Sequence, residues 1–295
     1  MTTHSTDLPS PADVRLVVTD MDGTLLGADG AVPAAFWPLV DEMRERGVVF
    51  APASGRQYAT LHRTFSSVAD GMVVIAENGA YVVRDGDELS SVTLDPALAA
   101  DVVRHLRELA DGPDGLDLGV VWCGRTTAYV ERTDRAFLDH VDPYYASLTP
   151  VDDLLATGEV PVKIAVFTPD DPRTTTAPAL APYDASQGGS LQVVVSGARW
   201  VDVMPTGVDK GVAVRRLQES LGIGPEHTVV FGDNFNDVEM LDAAELSFAM
   251  EGSPDGVLER ARYRAPSHTD EGVVTVLRHL LDGLDELDGT QPRAV

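Results

Sequence analysis

The chain has a single cysteine, Cys123, among its 295 residues. That excludes a disulfide framework or a thiolate metal site within one chain. Basic residues are scarce, 22 against 47 Asp and Glu, for a net charge of −25. They form no run, so nothing in the composition could track a nucleic-acid backbone, and no nucleic-acid partner is expected. Long apolar runs are missing as well. The longest stretch without a polar residue, Ala31 to Val40, carries two prolines and falls far short of the ~20 residues of a membrane helix, so no membrane partner is expected. Met1 to Asp13 lacks the basic start and apolar stretch of a signal peptide. These absences predict a soluble, cytoplasmic protein. What is present is enough hydrophobic material, 44%, to bury a real core, in a length that suits one large or two ordinary domains.

Apolar periodicity organises both ends of the chain alike. Val14 to Thr19 reads as a buried parallel strand ending in Asp20-Met21-Asp22-Gly23. Phe36, Leu39, Val40 and Met43 recur at helical spacing before Gly47. A second strand over Val48 to Ala51 ends at Ser54-Gly55-Arg56, a helix spans Tyr58 to Phe65, and a third strand, Met72 to Ala76, runs into Glu77-Asn78-Gly79. Strand alternating with helix predicts a doubly wound parallel sheet. The alternation returns with a helix over Asp209 to Leu221, a strand over His227 to Phe231 ending at Gly232-Asp233, a helix over Asn236 to Ala244 and a strand over Leu246 to Met250. A closing helix over Val273 to Leu281 precedes an acidic tail. The middle differs in texture, with helices expected over Ala97 to Leu109 and Asp134 to Ser147, a loop over Thr168 to Pro182, and a hairpin around Trp200. The expected fold class is therefore α/β: a Rossmann-like core of residues 1–84 and 205–295, with flexible tails at 1–13 and 283–295, interrupted by an α+β domain at 85–204.

Four clusters fall at expected strand ends or helix starts, where open α/β sheets bind ligands. Asp20 and Asp22, one residue apart, can divide nucleophilic and proton-transfer work. Ser54-Gly55, ahead of a helix, suits a phosphate. Lys210 opens a helix, and Gly232-Asp233-Asn234-Phe235-Asn236-Asp237 straddles a strand end and a helix start. Each has a plain structural reading: a turn, a loop, a surface charge, a helix N-cap. Lysine is rare, however. Lys163 and Lys210 are the only two in the chain, and all four clusters at strand ends of one sheet argue against coincidence.

In this order, the four motifs resemble those of the haloacid dehalogenase superfamily of phosphohydrolases. The long insert between the Ser and Lys motifs resembles the Cof-type branch, whose cap is type IIB. Agreement extends to Ala53 to Tyr58, Ala76 to Ala80, Cys123-Gly124 with Ala128-Tyr129-Val130, and Ser247 to Met250, and is similar to bacterial sugar phosphatases. One departure stands out: Glu251-Gly252-Ser253 replaces the Gly-Asn-Ala that commonly follows the Met in this family.

The resemblance implies a Mg²⁺-dependent phosphomonoester hydrolase. Asp20 would be the nucleophile, forming an aspartyl-phosphate, and Asp22 the general acid and base. Asp20, the Asp22 backbone carbonyl and Asp233 would hold Mg²⁺, with Asp237 supporting from behind. Ser54, Gly55, Lys210 and Asn236 would bind the phosphoryl group. The expected partner is a small phosphorylated metabolite, most of all a sugar phosphate, with Gly124, Arg125 and Lys163 as candidate cap contacts. Phosphorylated flavin or pyridoxal, stacked on Trp122 or Tyr129, is the alternative substrate, and a sugar phosphotransferase or mutase the alternative reaction. A receiver-type signalling module, which also phosphorylates an aspartate on a doubly wound sheet, lacks Asp22, the Gly232 to Asp237 motif and the insert.

Overall fold

Residues 8–9, 13–112 and 115–288 are described by a computed structural model. The flexible tails expected at 1–13 and 283–295 lie largely outside the described residues. Within the described residues, fourteen strands follow in chain order. They are β1 (Leu16–Thr19), β2 (Val49–Pro52), β3 (Val73–Ala76), β4 (Tyr81–Arg84), β5 (Asp87–Ser91), β6 (Gly119–Cys123) and β7 (Ala128–Val130). Then come β8 (Leu148–Pro150), β9 (Lys163–Phe167), β10 (Leu191–Gly197), β11 (Trp200–Pro205), β12 (Thr228–Gly232), β13 (Leu246–Met250) and β14 (Tyr263–Ala265). The chain divides into two units, one of residues 1–54, 67–74 and 209–295, the other of 55–66 and 75–208. The second unit thus takes in 55–66, 75–84 and 205–208 as well as the whole range of the expected insert.

The first unit holds a parallel five-stranded sheet in the order β14-β13-β12-β1-β2. All four residues of β1 are buried, as a strand covered on both faces requires. From β1 the chain passes through the helix Phe36–Glu45 to β2, while from β12 it proceeds the other way to β13 and β14. The direction of winding therefore reverses between the adjacent strands β1 and β12, and a ligand crevice is expected outside their carboxyl ends. The helix Phe36–Glu45 buries Phe36, Leu39, Val40 and Met43, the expected stripe, and Phe36 meets Phe50 edge-on at 5.2 Å between ring centres. On neighbouring strands, Phe231, Phe248 and Tyr263 are in register and stack at 5.1 and 5.2 Å.

The second unit is built on a six-stranded sheet in the order β10-β11-β9-β6-β7-β8, antiparallel except for the β7–β8 pair. Its middle strand β9 is buried throughout. The helix Pro96–Asp111 starts where the Asp95 carboxylate accepts from the amides of Ala97 and Leu98, an N-cap that satisfies otherwise unpaired donors. Its residues Val102, Val103 and Leu106 pack with Trp122, Ile164, Val166 and Val203. A second cluster holds Val121, Phe137, Ala165 and Phe167.

Four local expectations are corrected. β3 does not extend the parallel sheet but heads a three-stranded sheet in the order β3-β4-β5. The expected helix over Asp134 to Ser147 ends at Val141, because Pro143 cannot continue it. The expected loop over Thr168 to Pro182 contains the short helix Thr176–Leu180. The last helix runs Gly272–Asp288, beyond Leu281, since one interior glycine costs a helix only about 1 kcal/mol. No described helix is long and apolar enough to cross a membrane.

The ring stack ties three parallel strands together through a fully buried Phe248. Phe248→Ala should therefore lower unfolding stability by about 3–5 kcal/mol, read from the denaturation midpoint. A loss below 1 kcal/mol would show that the stack is not structural.

Candidate active site

Asp20 leaves the carboxyl end of β1 with its backbone N–H donating to the carbonyl of Phe231 on β12 (3.0 Å), so it sits at the reversal of winding. The next residues form one tight turn, Met21–Leu25, closed by Leu26 N–H donating to the Met21 carbonyl at 2.9 Å. Asp22 is extended within it (φ −79°, ψ 118°) and exposed, and Gly23 has φ 81°, a left-handed value that favours glycine. Glycine is required there for a second reason: a Cβ on Gly23 would lie 2.5 Å from Oδ2 of Asp233. Thr24 donates its hydroxyl to Asp233 Oδ1 at 2.9 Å, a contact the sequence reading passed over although Thr24 lies inside the first motif.

Lys210 comes from the start of the helix Lys210–Leu221, which begins where the Asp209 carboxylate accepts from the Val212 amide at 2.7 Å. Its side chain is fully buried, and its ammonium pairs with Oδ1 of Asp20 and, at 2.6 Å, with Oδ1 of Asp237. Burial alone would lower the Lys210 pKa, but Asp20 and Asp237 outweigh it and hold the ammonium firmly charged. The other Asp237 oxygen accepts from the amides of Asp233 (2.9 Å) and Asn234 (3.1 Å). Asn234 completes a reciprocal helix cap with Asp237. The capping reading of this motif thus holds for Asn234 and Asp237.

Asp20, Asp233 and Asp237 each offer an oxygen within 4.8 Å of the other two. Burial, then Asp237, pushes the Asp20 carboxyl well above the usual range against the pull of Lys210. Burial, again with Asp237, pushes Asp233 up to about 6. Three carboxylates facing one ammonium leave two negative charges uncompensated, in a shell of hard oxygen donors. That donor set and that charge deficit fit a divalent cation such as Mg²⁺. Asp22 places no carboxylate in this cluster; its expected metal contact is the backbone carbonyl.

Ser54, buried just past β2, follows Ala53, whose amide donates to the Thr19 carbonyl at 2.8 Å. Asn236 is half-buried two residues after Asn234. The structure thus brings Asp20, Lys210, Asp233 and Asp237 together and sets Asp22, Ser54 and Asn236 in the same unit. Gly55 belongs to the other unit. There the expected cap contacts do not converge. Gly124 closes a turn on Thr127 (3.0 Å), and Arg125 pairs with Glu88 at 3.4 Å on the surface. Lys163, expected as a polar lining group, is instead buried between Glu77 and Asp202. Trp122 is buried with its indole N–H on the Glu159 carbonyl (3.0 Å), so it offers no stacking face. Glu77, Asn78 and Asp202 were missed as a group. Only the Glu77-Asn78-Gly79 tripeptide carried a signal, since Asp202 lies in mid-strand.

Residues 17–277 match the haloacid dehalogenase-like hydrolases. The chain belongs to this family. It is 32% identical to the 5-amino-6-(5-phospho-D-ribitylamino)uracil phosphatase YbjI of Escherichia coli, over 91% of this chain and 96% of that one. It is 26% identical to an HMP-PP phosphatase of Yersinia enterocolitica, over 90% and 95%. Among solved structures, SMU.1108c of Streptococcus mutans superposes with a TM-score of 0.80 at 26% identity, covering 91% of this chain and 99% of that one. The subclass IIB sugar phosphatase BT4131 shares the fold at 17% identity, with a TM-score of 0.75 and coverage of 90% and 98%. This haloacid dehalogenase-like hydrolase is a phosphatase.

At Gly23 the backbone comes against the Asp233 carboxylate. Gly23→Ala should lower kcat/KM by about 100-fold, because an added Cβ must move the Asp233 carboxylate and misplacements near 1 Å cost that much. Steady-state kinetics checks this; activity within threefold of wild type would mean that the Gly23–Asp233 approach is not needed.

Proposed function

We propose that this phosphatase hydrolyses small phosphomonoesters by transient phosphorylation of Asp20, with Mg²⁺ as its cation. The observation that carries the reading is the Asp20 carboxylate at the reversal of winding, gripped by a fully buried Lys210 and flanked by Asp233 and Asp237. In the first step an Asp20 carboxylate oxygen bonds to phosphorus as the bond to the leaving oxygen breaks, and Asp22 gives that oxygen a proton. In the second, Asp22 takes a proton from water as the water oxygen bonds to phosphorus. The bond from phosphorus to Asp20 then breaks, releasing phosphate. Asp22 suits the proton role because it is exposed and lies outside the three-carboxylate cluster, while its neighbour Asp20 is tied to Lys210. Two carboxylates in unlike environments divide such work.

Asp20, Asp233 and the Asp22 carbonyl would hold Mg²⁺. Asp237, with one oxygen on Lys210 and the other on two amides, would support them. Bound there, the cation would offset the acidic cluster and the phosphoryl charge. Ser54, the peptide N–H that follows it, Lys210 and Asn236 would hold the phosphoryl oxygens as charge redistributes.

For the substrate we propose a phosphate ester at the end of a polyhydroxyl chain. Support comes from the 32%-identical relative, whose name specifies a phosphoribityl compound, and from relatives at lower identity that bear the same name. Sugar phosphates and phosphorylated flavin both present such an end. A phosphate-release screen over ribityl, hexose, pentose and nucleotide phosphates tests the class. Preference by tenfold for an ester without a polyhydroxyl chain would overturn it.

Two substitutions separate the chemical roles. Asp20→Asn should abolish turnover with the fold retained, since an amide is a poor nucleophile; more than a tenth of wild-type activity would remove Asp20 from that role. Asp22→Asn should lower kcat by roughly 10²–10⁴-fold, and an unchanged rate with an alcohol leaving group would reject it as the proton carrier. Excess chelator should silence the enzyme and Mg²⁺ restore it, with Ca²⁺ a poor substitute because of its looser coordination. Full activity in chelator would remove the cation from the reaction.

A further inference from the structure

The second lysine is as deeply buried as the first. Lys163 opens β9 at 2% exposure, and its ammonium lies 2.7 Å from Oε2 of Glu77 and 3.5 Å from Oδ2 of Asp202. It donates to the backbone carbonyl of Gly55 at 2.8 Å. Asp202 in turn accepts from the Asn78 side-chain amide at 2.8 Å. All of these residues belong to one unit. Burial pushes the Glu77 carboxyl up and would lower the Lys163 ammonium, but Asp202 and Glu77 keep the latter strongly protonated.

A purely structural account of this cluster is poor. Buried ion pairs are weak evidence for stability, and apolar side chains of similar volume often serve as well. The backbone around it is also unusual. Glu77, Asn78 and Gly79 follow one another with φ of 50°, 56° and 96°. Two consecutive left-handed residues other than glycine are costly, and such strain gathers at functional positions.

The cluster acts on Gly55, the residue directly after Ser54. A Cβ on Gly55 would lie 3.1 Å from the Asn78 side chain, a tight approach that favours glycine. Glycine is also the residue with the most backbone freedom to lose, so something has to fix it. The following residues are fastened elsewhere: the Arg56 carbonyl accepts from Glu77 N–H (3.1 Å), and the Gln57 side chain brackets the Ser147 backbone, donating to its carbonyl and accepting from its N–H, both at 2.9 Å. Lys163 fastens Gly55 itself.

We propose that Lys163 is a positioning residue for phosphate binding: held between Glu77 and Asp202, it holds the Gly55 carbonyl and so restrains the rotation of Gly55, the residue whose N–H follows the Ser54 hydroxyl. This rests on the reading of Ser54 and the next N–H as phosphate contacts. Lys163 touches no substrate in this role. Its effect falls on affinity for the phosphoryl group, through Gly55, more than on the rate of the chemical step.

The chain's two lysines make a direct test practical. Protein labelled with ¹⁵Nζ-lysine and titrated with inorganic phosphate in the presence of Mg²⁺ gives two buried ammonium signals. Both should shift with the same midpoint. If the Lys210 signal moves and that of Lys163 does not, the positioning role is overturned while the phosphate site stands. If neither moves, or if Ser54→Ala binds phosphate as wild type does, the reading beneath it fails too. Two double variants supply the kinetic arm. Lys163→Gln with Glu77→Gln keeps an N–H donor for Gly55, and Lys163→Met with Glu77→Gln removes it, both leaving the same cluster charge. The Met pair should raise KM and the phosphate inhibition constant roughly tenfold, the scale of one charge-assisted hydrogen bond, with kcat changed less than threefold. The Gln pair should stay within threefold of wild type in all three. Parallel losses of kcat, KM and Tm in both pairs would show a structural role alone and overturn the proposal.

Discussion

A lysine ammonium buried between two aspartates is the constraint on which the first unit depends. Lys210 joins residues 190 positions away, at Asp20, and 27 positions away, at Asp237. A buried ammonium without partners would cost several kcal/mol, so β1, β12 and the helix after Asp209 have to meet at one point for this fold to be stable. Close packing around that point follows. A Cβ on Gly232 would lie 2.5 Å from Cβ of Asp237, and one on Gly23 would strike Asp233. The glycines of the two acidic motifs are thus there so that backbone can approach carboxylate. Removing Lys210 would leave three carboxylates crowded together with no cation of the protein's own.

Under the proposed function, that arrangement would let a chain of net charge −25 bind an anion. The surface ion pairs, such as Arg44–Asp41 and Arg104–Asp101, are more than half exposed and contribute little. Acidic groups farther than about 8 Å from a site are largely screened at physiological salt. Under the proposed function, what a phosphoryl group would meet is local: Lys210 and the cation the acidic cluster would hold. Two uncompensated charges in that cluster would favour a divalent ion over a monovalent one.

Much of this was legible in the sequence because single strong signals decide it. The buried runs behind β1, β12 and β13 have few polar residues to place elsewhere, and Asp209 marks a helix start by its capping chemistry. The membership of β3 was not legible. Val73–Ala76 is an apolar run that fits any sheet interior, and only its choice of partner, β4, selects a sheet. The turn at Met21–Leu25 was visible as a motif, but the contact of Thr24 with Asp233 spans 209 positions and has no local signature. Lys163 misled for a related reason. Lys163 was expected to line the cap, but its burial depends on Glu77 and Asp202, which are remote in sequence.

Asp20 and Asp22 show how such distant context sets chemistry. They are the same residue type, one position apart, and nothing in the pair itself says which attacks and which carries protons. The structure separates them by environment. The Asp20 carboxylate is nearly enclosed and bound to an ammonium, whereas Asp22, extended just before a left-handed glycine, faces outward. Under the proposed mechanism, Asp20 as nucleophile needs a fixed direction of attack, which the grip of Lys210 would provide. A proton carrier needs access to the leaving oxygen and then to water, which exposure provides. Under the proposed mechanism, exchanging the two environments would disable both roles even with every motif residue in place. The reaction therefore depends on the turn at Gly23 as much as on the aspartates it separates.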